Sequence, residues 1–283
     1  MNHNLPQLGL GIGWRPELAL FIDRRSDLGF VELMAEDFDA SGPLPAPIES
    51  LRRRGVALVP HGVSLSLGGA EPLDRDRLRS LAKLAERVGA PLVSEHIAFV
   101  RAGDLEAGHL LPLPHTREAL ELVVANIRAA KVALPVPLAL ENIATVFDWP
   151  NAEMDEAAFL TEVLVRADVL LLLDIENVYA NARNHGYDPL QFLARLPLER
   201  IAYVHVAGGI ERDGLYHDTH CHDVPEAVFD LLAELCSRTA VPGIMLERDD
   251  QFPSDAQLNA ELGAITRAFE RGVARAARVR SEW

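Results

Sequence analysis

Cysteine is scarce in this 283-residue chain, which contains only Cys221 and Cys236. Two cysteines cannot form the disulfide framework that holds small secreted domains together, so free thiols in a reducing compartment are expected. The N-terminal segment also lacks a basic stretch followed by an apolar one, which is the pattern of a secretory signal. These absences predict a cytoplasmic protein.

Long apolar runs and clustered basic charge are missing as well. No stretch approaches the roughly 18 apolar residues that a membrane span requires, so no membrane partner is expected. The net charge is −15, and the arginines are scattered among acids instead of forming a stripe that would neutralise phosphates. The charge pattern therefore argues against nucleic acid as a partner.

Several common catalytic motifs are absent too. There is no GxSxG elbow for a serine hydrolase. The segment LGLGIG (8–13) matches only GxG, and SLSLGGAEPLD (64–74) lacks the spacing of a phosphate loop. We interpret the first as close strand packing and the second as a turn into the following helix.

The sequence does contain a repeated alternation of short apolar runs with longer amphipathic stretches. The eight apolar runs are 8–14, 30–36, 57–67, 92–100, 137–144, 171–179, 201–209 and 243–250. They are rich in Val, Ile and Leu without strict alternation, as expected for parallel strands that are buried on both faces. The clearest helical stretches are 74–89, 115–131, 154–168, 225–239 and 261–279, with a short helix over 17–25. Eight strand–helix units predict a single (β/α)8 TIM barrel that spans residues 1–283.

Polar residues with metal-binding side chains fall toward the C-terminal ends of these runs. They are Glu32 and Glu36 in the second run, then His61, His96, Glu141, Asp174, Asn177, His205 and Glu247 in the later ones. Active sites of (β/α)8 barrels are built at that end of the strands. One such histidine would be an ordinary hydrogen-bonded core residue, but several histidines and carboxylates at one rim are best satisfied by shared cations.

The loop after the seventh run, YHDTHCHDVP (216–225), adds Asp218 and His220 to the candidate ligands. His217, Cys221 and His222 in the same loop are weaker candidates. Structural or substrate-contact roles are favoured for the remaining three histidines, which are His109, His115 and His185.

The mixed nitrogen and oxygen donor set suits iron, manganese, cobalt or zinc, and donor type alone does not choose among them. At least seven candidate ligands exceed what one ion takes, so two or three ions are expected. Closely spaced ions can clamp a substrate or activate water.

The order of the motifs identifies a resemblance that covers about residues 8–255. The motifs are GIGWRPEL, FVELMAEDF, PHGVSLSLGG, SEHIAF, LALENI, LDIENVYANARNHGYDP, HVAGG, DTHCHDVP and LERDD. Together they resemble the multinuclear non-heme iron-dependent oxidative enzymes, the family of the methanobactin-biosynthesis oxidase. Cys221 is a departure, because the family often has glycine at that position.

The resemblance implies a xylose-isomerase-like TIM barrel and two or three iron ions of mixed Fe²⁺/Fe³⁺ state, with O₂ as co-substrate. It implies oxidation of cysteine in a ribosomally made precursor peptide, aided by a small partner protein that recognises the leader. The metal ligands it implies are His61, His96, Glu141, Asp174, Asn177, His205, Asp218, His220 and Glu247. Asp218, His220 and Glu247 are in addition our candidates for catalytic roles.

Other functions fit the same ligands. A divalent-metal sugar isomerase or epimerase, or a hydrolase on the same barrel, would use manganese or zinc without oxygen. A metal-dependent DNA-repair endonuclease is disfavoured by the charge of −15. A metal-storage protein or scaffold is the non-enzymatic alternative.

Overall fold

A closed barrel of eight parallel strands forms the centre of the molecule, as seen in the computed structural model, which describes residues 6–39 and 41–281. The barrel strands are β1 (Gly9–Gly13), β2 (Phe30–Met34), β3 (Ala57–His61), β4 (Val93–His96), β5 (Leu138–Glu141), β6 (Leu170–Asp174), β7 (Ile201–Val206) and β8 (Gly243–Leu246). Each strand pairs with the next in the chain, and β8 pairs in parallel with β1 to close the sheet.

Helices follow the strands. They are α1 (Ala19–Arg24), α2 (Ala46–Arg53), α3 (Arg75–Val88), α4 (Arg117–Ala133), α5 (Glu156–Ala167), α6 (Ile175–His185), α7 (Pro189–Arg195), α8 (Glu226–Arg238) and α9 (Asp255–Ser281). Short 3-10 segments lie at Pro16–Leu18, Ala35–Asp37 and Leu198–Arg200. None of the helices in the described ranges is long and apolar enough to cross a membrane.

Two antiparallel hairpins extend the loops at the carboxyl ends of the barrel strands. The first pairs Phe99–Ala102 with Leu105–Leu111 after β4, and the second pairs Gly209–Arg212 with Leu215–Asp218 after β7. Both hairpins belong to the loops that build active sites in barrels of this kind.

Helix α3 shows how local sequence sets these elements. The Asp74 side chain accepts hydrogen bonds from two backbone N–H groups of the first turn, and Gly89 ends the helix with a φ of 66°. Leu78, Leu81 and Leu84 recur at helical spacing and are buried in the core between helices and barrel. Burial of that apolar stripe holds the helix against the sheet.

The barrel interior changes character along the strand direction. Apolar side chains, among them Phe30, Val59, Leu172 and Met245, form a second buried cluster. We call this cluster the barrel floor; its members are Leu8, Phe30, Val59, Leu92, Ala139, Leu170, Leu172, Ala202, Tyr203 and Met245. Because side chains alternate between the two faces of a strand, the positions two residues beyond Phe30, Val59, Leu172 and Met245 also point inward. Those four positions are polar: Glu32, His61, Asp174 and Glu247.

The predicted eight-stranded barrel is confirmed, with three local differences. The strand predicted over 57–67 ends at His61, and the run 92–100 divides into β4 and the start of a hairpin. The run 171–179 was wrongly predicted to be strand throughout, because α6 begins at Ile175. Asp174 caps that helix by accepting from the backbone N–H of Asn177, so Asn177 lies on a helix and not on a strand.

Candidate metal centre

Six strand-end side chains converge at the carboxyl end of the barrel, which we call the mouth. They are His61, His96, Glu141, Asp174, His205 and Glu247, and all six are buried. The imidazole ring of His61 lies 4.6 Å from that of His96 and 5.5 Å from that of His205, measured between centroids. The strand register explains this placement, since His96 pairs with Glu141 and Asp174 pairs with His205.

The donor atoms of the mouth fall into four overlapping groups, within each of which the atoms lie no more than 4.8 Å apart. The groups are His61–His96–Glu141, Glu141–Asp174–His205–Glu247, Glu176–Asp218–His220 and His220–Glu247–Asp249. Glu141 belongs to the first two groups, and a carboxylate shared in this way can bridge two cations.

Asn142 ties the end of β5 to the start of α6. Its side chain donates to the backbone carbonyl of Asp174 and accepts from the Asp174 N–H, both at 3.0 Å. The Asn177 amide in turn donates to the Asn142 carbonyl at 3.1 Å. This network, together with the cap at Oδ1, turns Asp174 Oδ2 and Asn177 Oδ1 into the mouth, where neither has a hydrogen-bond partner.

The end of the second hairpin and the loop after it bring Asp218 and His220 to the same place. His220 has a φ of 51°, a left-handed conformation that costs free energy for a residue with a side chain, and such strain clusters at functional sites. Its carbonyl accepts from the Asp249 N–H at 3.0 Å, which fixes the loop to the end of β8. The Nε2 atom of His220 lies 2.7 Å from Asp218 Oδ1.

A buried ion pair holds the next part of that loop. Arg248 is 1 % exposed and contacts Glu261 of α9 through its Nη2 and Nε atoms. Glu261 also accepts from the backbone N–H of Val224 at 3.2 Å. Movement of the loop would separate Arg248 from Glu261 and leave a buried charge without its partner, which is costly. The ion pair therefore stabilises the observed position of the loop.

Burial and close charges of both signs perturb the ionisable groups of the mouth. Burial opposes protonation of His96, but Glu141 and Glu95 outweigh it and raise the pKa of His96 to about 9. Burial likewise opposes ionisation of Glu141, and the imidazoles of His96 and His205 outweigh it and lower the pKa of Glu141 to about 2. Strong perturbation of this kind in a cleft is a mark of functional sites.

Two other carboxyl groups shift in the opposite direction. Burial, reinforced by Glu141 and Asp218, raises the pKa of Asp174 well above its usual range. Burial and the proximity of Asp218 and Asp174 do the same to the pKa of Glu176. Without cations, the mouth therefore has to share protons among its carboxylates and imidazoles.

Unpartnered polar atoms are concentrated in this one place. Among the described residues, eleven buried side-chain nitrogen or oxygen atoms have no hydrogen-bond partner, and nine of them belong to mouth residues. The nine are Glu141 Oε2, Asp174 Oδ2, both carboxylate oxygens of Glu176, Asn177 Oδ1, His205 Nδ1, Asp218 Oδ1, His220 Nε2 and Glu247 Oε2. Four of the nine form two close imidazole–carboxylate contacts, His205 Nδ1 with Glu247 Oε2 at 2.8 Å and His220 Nε2 with Asp218 Oδ1 at 2.7 Å. A buried polar atom with no partner at all costs about 1–3 kcal/mol. Cations would satisfy the nine atoms together, so this donor set fits a cluster of metal ions.

The structure brings all nine predicted ligands to the mouth, with Asn177 lining its cavity. Two further carboxylates at the mouth, those of Glu176 and Asp249, are absent from the predicted ligands. Asp249 follows Glu247 by two residues in LERDD, a signal that was available in the sequence. Glu176 gives no comparable signal, since only the turn into α6 brings its side chain toward Asp218.

The other polar residues from the sequence lie around this centre. Glu32 lies below it and bonds to His205 and Tyr203, whereas Glu36 is exposed and accepts from the Val63 N–H at 3.0 Å. Among the other histidines, His109 and His217 line the cavity of the mouth. The ring of His115 packs against Phe159, and His185 contacts the Thr145 hydroxyl. His222 contacts Thr219 and Cys221 at Nδ1.

Comparison with solved structures defines the class of fold. An endonuclease IV from Thermus thermophilus superposes with a TM-score of 0.60 at 18% identity, covering 93% of this chain and 99% of that one. An L-ribulose 3-epimerase gives a TM-score of 0.59 at 15% identity, with 95% and 97% covered. The chain thus has the xylose-isomerase-like TIM-barrel fold.

Residues 9–270 match the family described as RiPP precursor modification enzyme MbnB/TglH/ChrH, and the chain belongs to that family. A UPF0276 protein of Streptomyces avermitilis is 53% identical over 279 residues, which cover 96% of this chain and 57% of that protein. A UPF0276 protein of Caulobacter vibrioides is 38% identical over 256 residues, covering 90% and 91%. The chain therefore spans a little over half the length of the Streptomyces relative and most of the Caulobacter one.

Proposed function

We propose that this protein is a multinuclear iron enzyme that uses O₂ to oxidise cysteine in a ribosomally made precursor peptide. The observation that carries the proposal is the set of nine unpartnered polar atoms at the mouth. Membership of a family of precursor-peptide modification enzymes supports a peptide as the substrate. The expected setting is the cytoplasm, with a small leader-recognition protein as partner.

The residues that would hold the ions are those of the four groups at the mouth. Together these groups contain six carboxylates, those of Glu141, Asp174, Glu176, Asp218, Glu247 and Asp249, and four imidazoles. Two or three divalent or trivalent cations would offset most of that negative charge. Bound iron would supply redox chemistry with O₂ and a site for a substrate thiolate, because metals bind the deprotonated thiol.

The chain's own side chains would orient a substrate and limit solvent. The mouth opens into a cavity of about 400 Å³ whose lining includes Val146 and Leu110 beside the polar residues. Met34, Ile143 and Ala144 add further apolar surface to the same lining. A mixed apolar and polar entrance suits a peptide segment better than a small sugar alone. His220 and Asp218, which lie at the outer side of the cavity, are placed to hold or transfer a proton near such a substrate.

The decisive experiment combines elemental analysis of anaerobically purified protein with measurements of oxygen consumption. We expect more than one iron per chain, and O₂ uptake that depends on a cysteine-containing precursor peptide. Protein that contains only zinc or manganese and turns over a substrate without oxygen would contradict the oxidase. That result would favour the alternative of a divalent-metal isomerase, epimerase or hydrolase.

A further inference from the structure

Two histidines of the mouth direct different ring nitrogens toward the candidate metal positions. His61 places Nε2 3.4 Å from Glu141 Oε2, while its Nδ1 lies 2.8 Å from Ser94 Oγ. His205 is reversed: its Nδ1 lies 2.8 Å from Glu247 Oε2, and its Nε2 lies 2.8 Å from Glu32 Oε2. Only a nitrogen without a proton can bind a metal, so the partner of the other nitrogen decides which atom is available.

Glu32 is connected to both histidines, to His205 directly and to His61 through Tyr203 and Ser94. It is 3 % exposed on β2, and its Oε2 lies within hydrogen-bond distance of His205 Nε2 and of the Tyr203 hydroxyl. A carboxylate can only accept, so both of these partners must donate to it. Among the described residues, Glu32 appears in none of the four donor groups, although it stands in a strand next to them.

The donation from Tyr203 sets the direction of the hydrogen bonds that follow. A phenol has one proton, and when Glu32 takes it the Tyr203 oxygen can only accept from Ser94, whose Oγ lies 2.7 Å away. Ser94 then has no proton left for His61 and accepts from Nδ1–H. The order Glu32–Tyr203–Ser94–His61 thus places the proton of His61 on Nδ1 and leaves Nε2 free.

We propose that Glu32 is a positioning residue that fixes the tautomers of two metal-binding histidines, His205 directly and His61 through Tyr203 and Ser94. His205 would bind through Nδ1 and His61 through Nε2. The other two imidazoles do not depend on this relay, because His96 Nδ1 lies 3.2 Å from the Gly62 carbonyl and His220 Nδ1 lies 3.1 Å from Asp249. The inference rests on the metal centre of the proposed function.

Stepwise titration of the metal-free full chain with Co²⁺, against a competing chelator, tests the relay. Changing a hydrogen-bond partner of a ligand typically costs about ten- to a hundredfold in metal affinity. Tyr203→Phe and Ser94→Ala should therefore each weaken one binding step by about that factor, and Glu32→Gln should weaken two. Glu36→Gln, the same change four residues along at an exposed site, is the matched control and should keep the wild-type constants.

A second measurement reads the tautomers themselves. In zinc-loaded protein labelled with ¹⁵N-histidine, two-bond ¹H–¹⁵N correlations should show the proton of His61 on Nδ1 and that of His205 on Nε2. Tyr203→Phe should alter the His61 pattern and leave that of His205 unchanged, which a general loss of packing would not do.

The outcomes separate this inference from the proposed function. Wild-type protein that takes up no cobalt would overturn both. Normal uptake by the wild type, with unchanged constants in Glu32→Gln, would overturn the relay alone, and so would loss of two steps in Tyr203→Phe. Thermal unfolding of the metal-free variants shows whether each one folds. If Glu32→Gln does not, Tyr203→Phe and Ser94→Ala decide, and wild-type constants in both overturn the proposal.

Discussion

Two polar clusters lie at the carboxyl end of this barrel, and among the residues that the structure describes only one of them contains buried polar atoms without a hydrogen bond. The mouth contains nine buried polar atoms without a hydrogen bond. The second cluster, which we call the flank cluster, lies beneath the loop between β5 and α5 and consists of Thr145, Asp148, Glu156, Asn181, His185 and Tyr187. None of its side-chain atoms is among the buried unpartnered atoms of the described residues.

The contacts of the flank cluster show how proteins normally satisfy such groups. His185 has Asp148 at 3.0 Å on Nδ1 and the Thr145 hydroxyl at 2.7 Å on Nε2. Asn181 donates to the Ile143 carbonyl at 2.9 Å and to Glu156. Histidine, aspartate and glutamate in proximity therefore do not by themselves make a metal site. Unpartnered donors that face one another distinguish the mouth.

Matched substitutions in the two clusters give the largest expected effect. His61→Ala and Asp174→Ala should each remove at least one bound ion per chain, because each deletes a donor from a group at the mouth. His185→Ala and Asp148→Ala remove the same side chains from the flank cluster and should leave metal content unchanged. Elemental analysis after dialysis measures the effect, and circular dichroism shows that the barrel remains folded. Equal metal content in all four variants would contradict the ligand assignment.

The pH dependence of metal binding should give the next largest effect. The pKa of His96 is raised to about 9, so below that pH a proton has to leave His96 before a cation can bind. For each proton displaced, affinity should fall about tenfold per pH unit as the pH decreases, since one pKa unit corresponds to about 1.4 kcal/mol. Between pH 8 and pH 6 the His96 proton alone predicts a loss of about a hundredfold in zinc affinity. Zinc affinity that does not change over this range would show that metal binding displaces no proton from His96.

The barrel and most of its mouth were predictable because their signals are local and periodic. Every barrel strand coincides with a predicted apolar run to within one residue, and strand-end residues such as His61 and His205 could be assigned to one rim from the fold alone. The end of β6 could not be predicted from sequence periodicity, because Asp174 caps a helix that begins within the apolar stretch. The position of Asn177, and the approach of Glu176 to Asp218, depend on that turn.

The long-range contacts of Glu32 could not be predicted from the sequence, because no local pattern indicates which distant residues meet. Glu32 and His205 are 173 positions apart in the chain. The second partner of Glu32, Tyr203, is 171 positions away and is an aromatic residue within an apolar run. Nothing in either segment distinguishes a carboxylate that binds metal from one that orients an imidazole. Only the inward alternation of neighbouring strands places Glu32 beneath the candidate ligands and not among them.

The smallest expected effect concerns Glu156 of the flank cluster. Burial raises the pKa of Glu156 to about 7, although Asn181 and Tyr187 donate to it. Between its unfolded pKa near 4.5 and this value, the folded protein holds a proton that the unfolded chain has lost. Stability from this group is therefore present at pH 5 and falls as the pH rises through 7.

Glu156→Gln keeps the neutral form at every pH, so it should leave the melting temperature nearly unchanged at pH 5 and raise it at pH 8. Because Glu156 is half-buried, the gain should be about 1 kcal/mol, or roughly 2–3 °C for a chain of this size. Thermal unfolding at the two pH values measures it, with Glu153→Gln as an exposed control expected to show no such difference. Equal destabilisation at both pH values would mean that the Glu156 carboxylate is required for its hydrogen bonds. The flank cluster would then also contain a buried charged group, and the difference in charge state between the two clusters would be smaller than we propose.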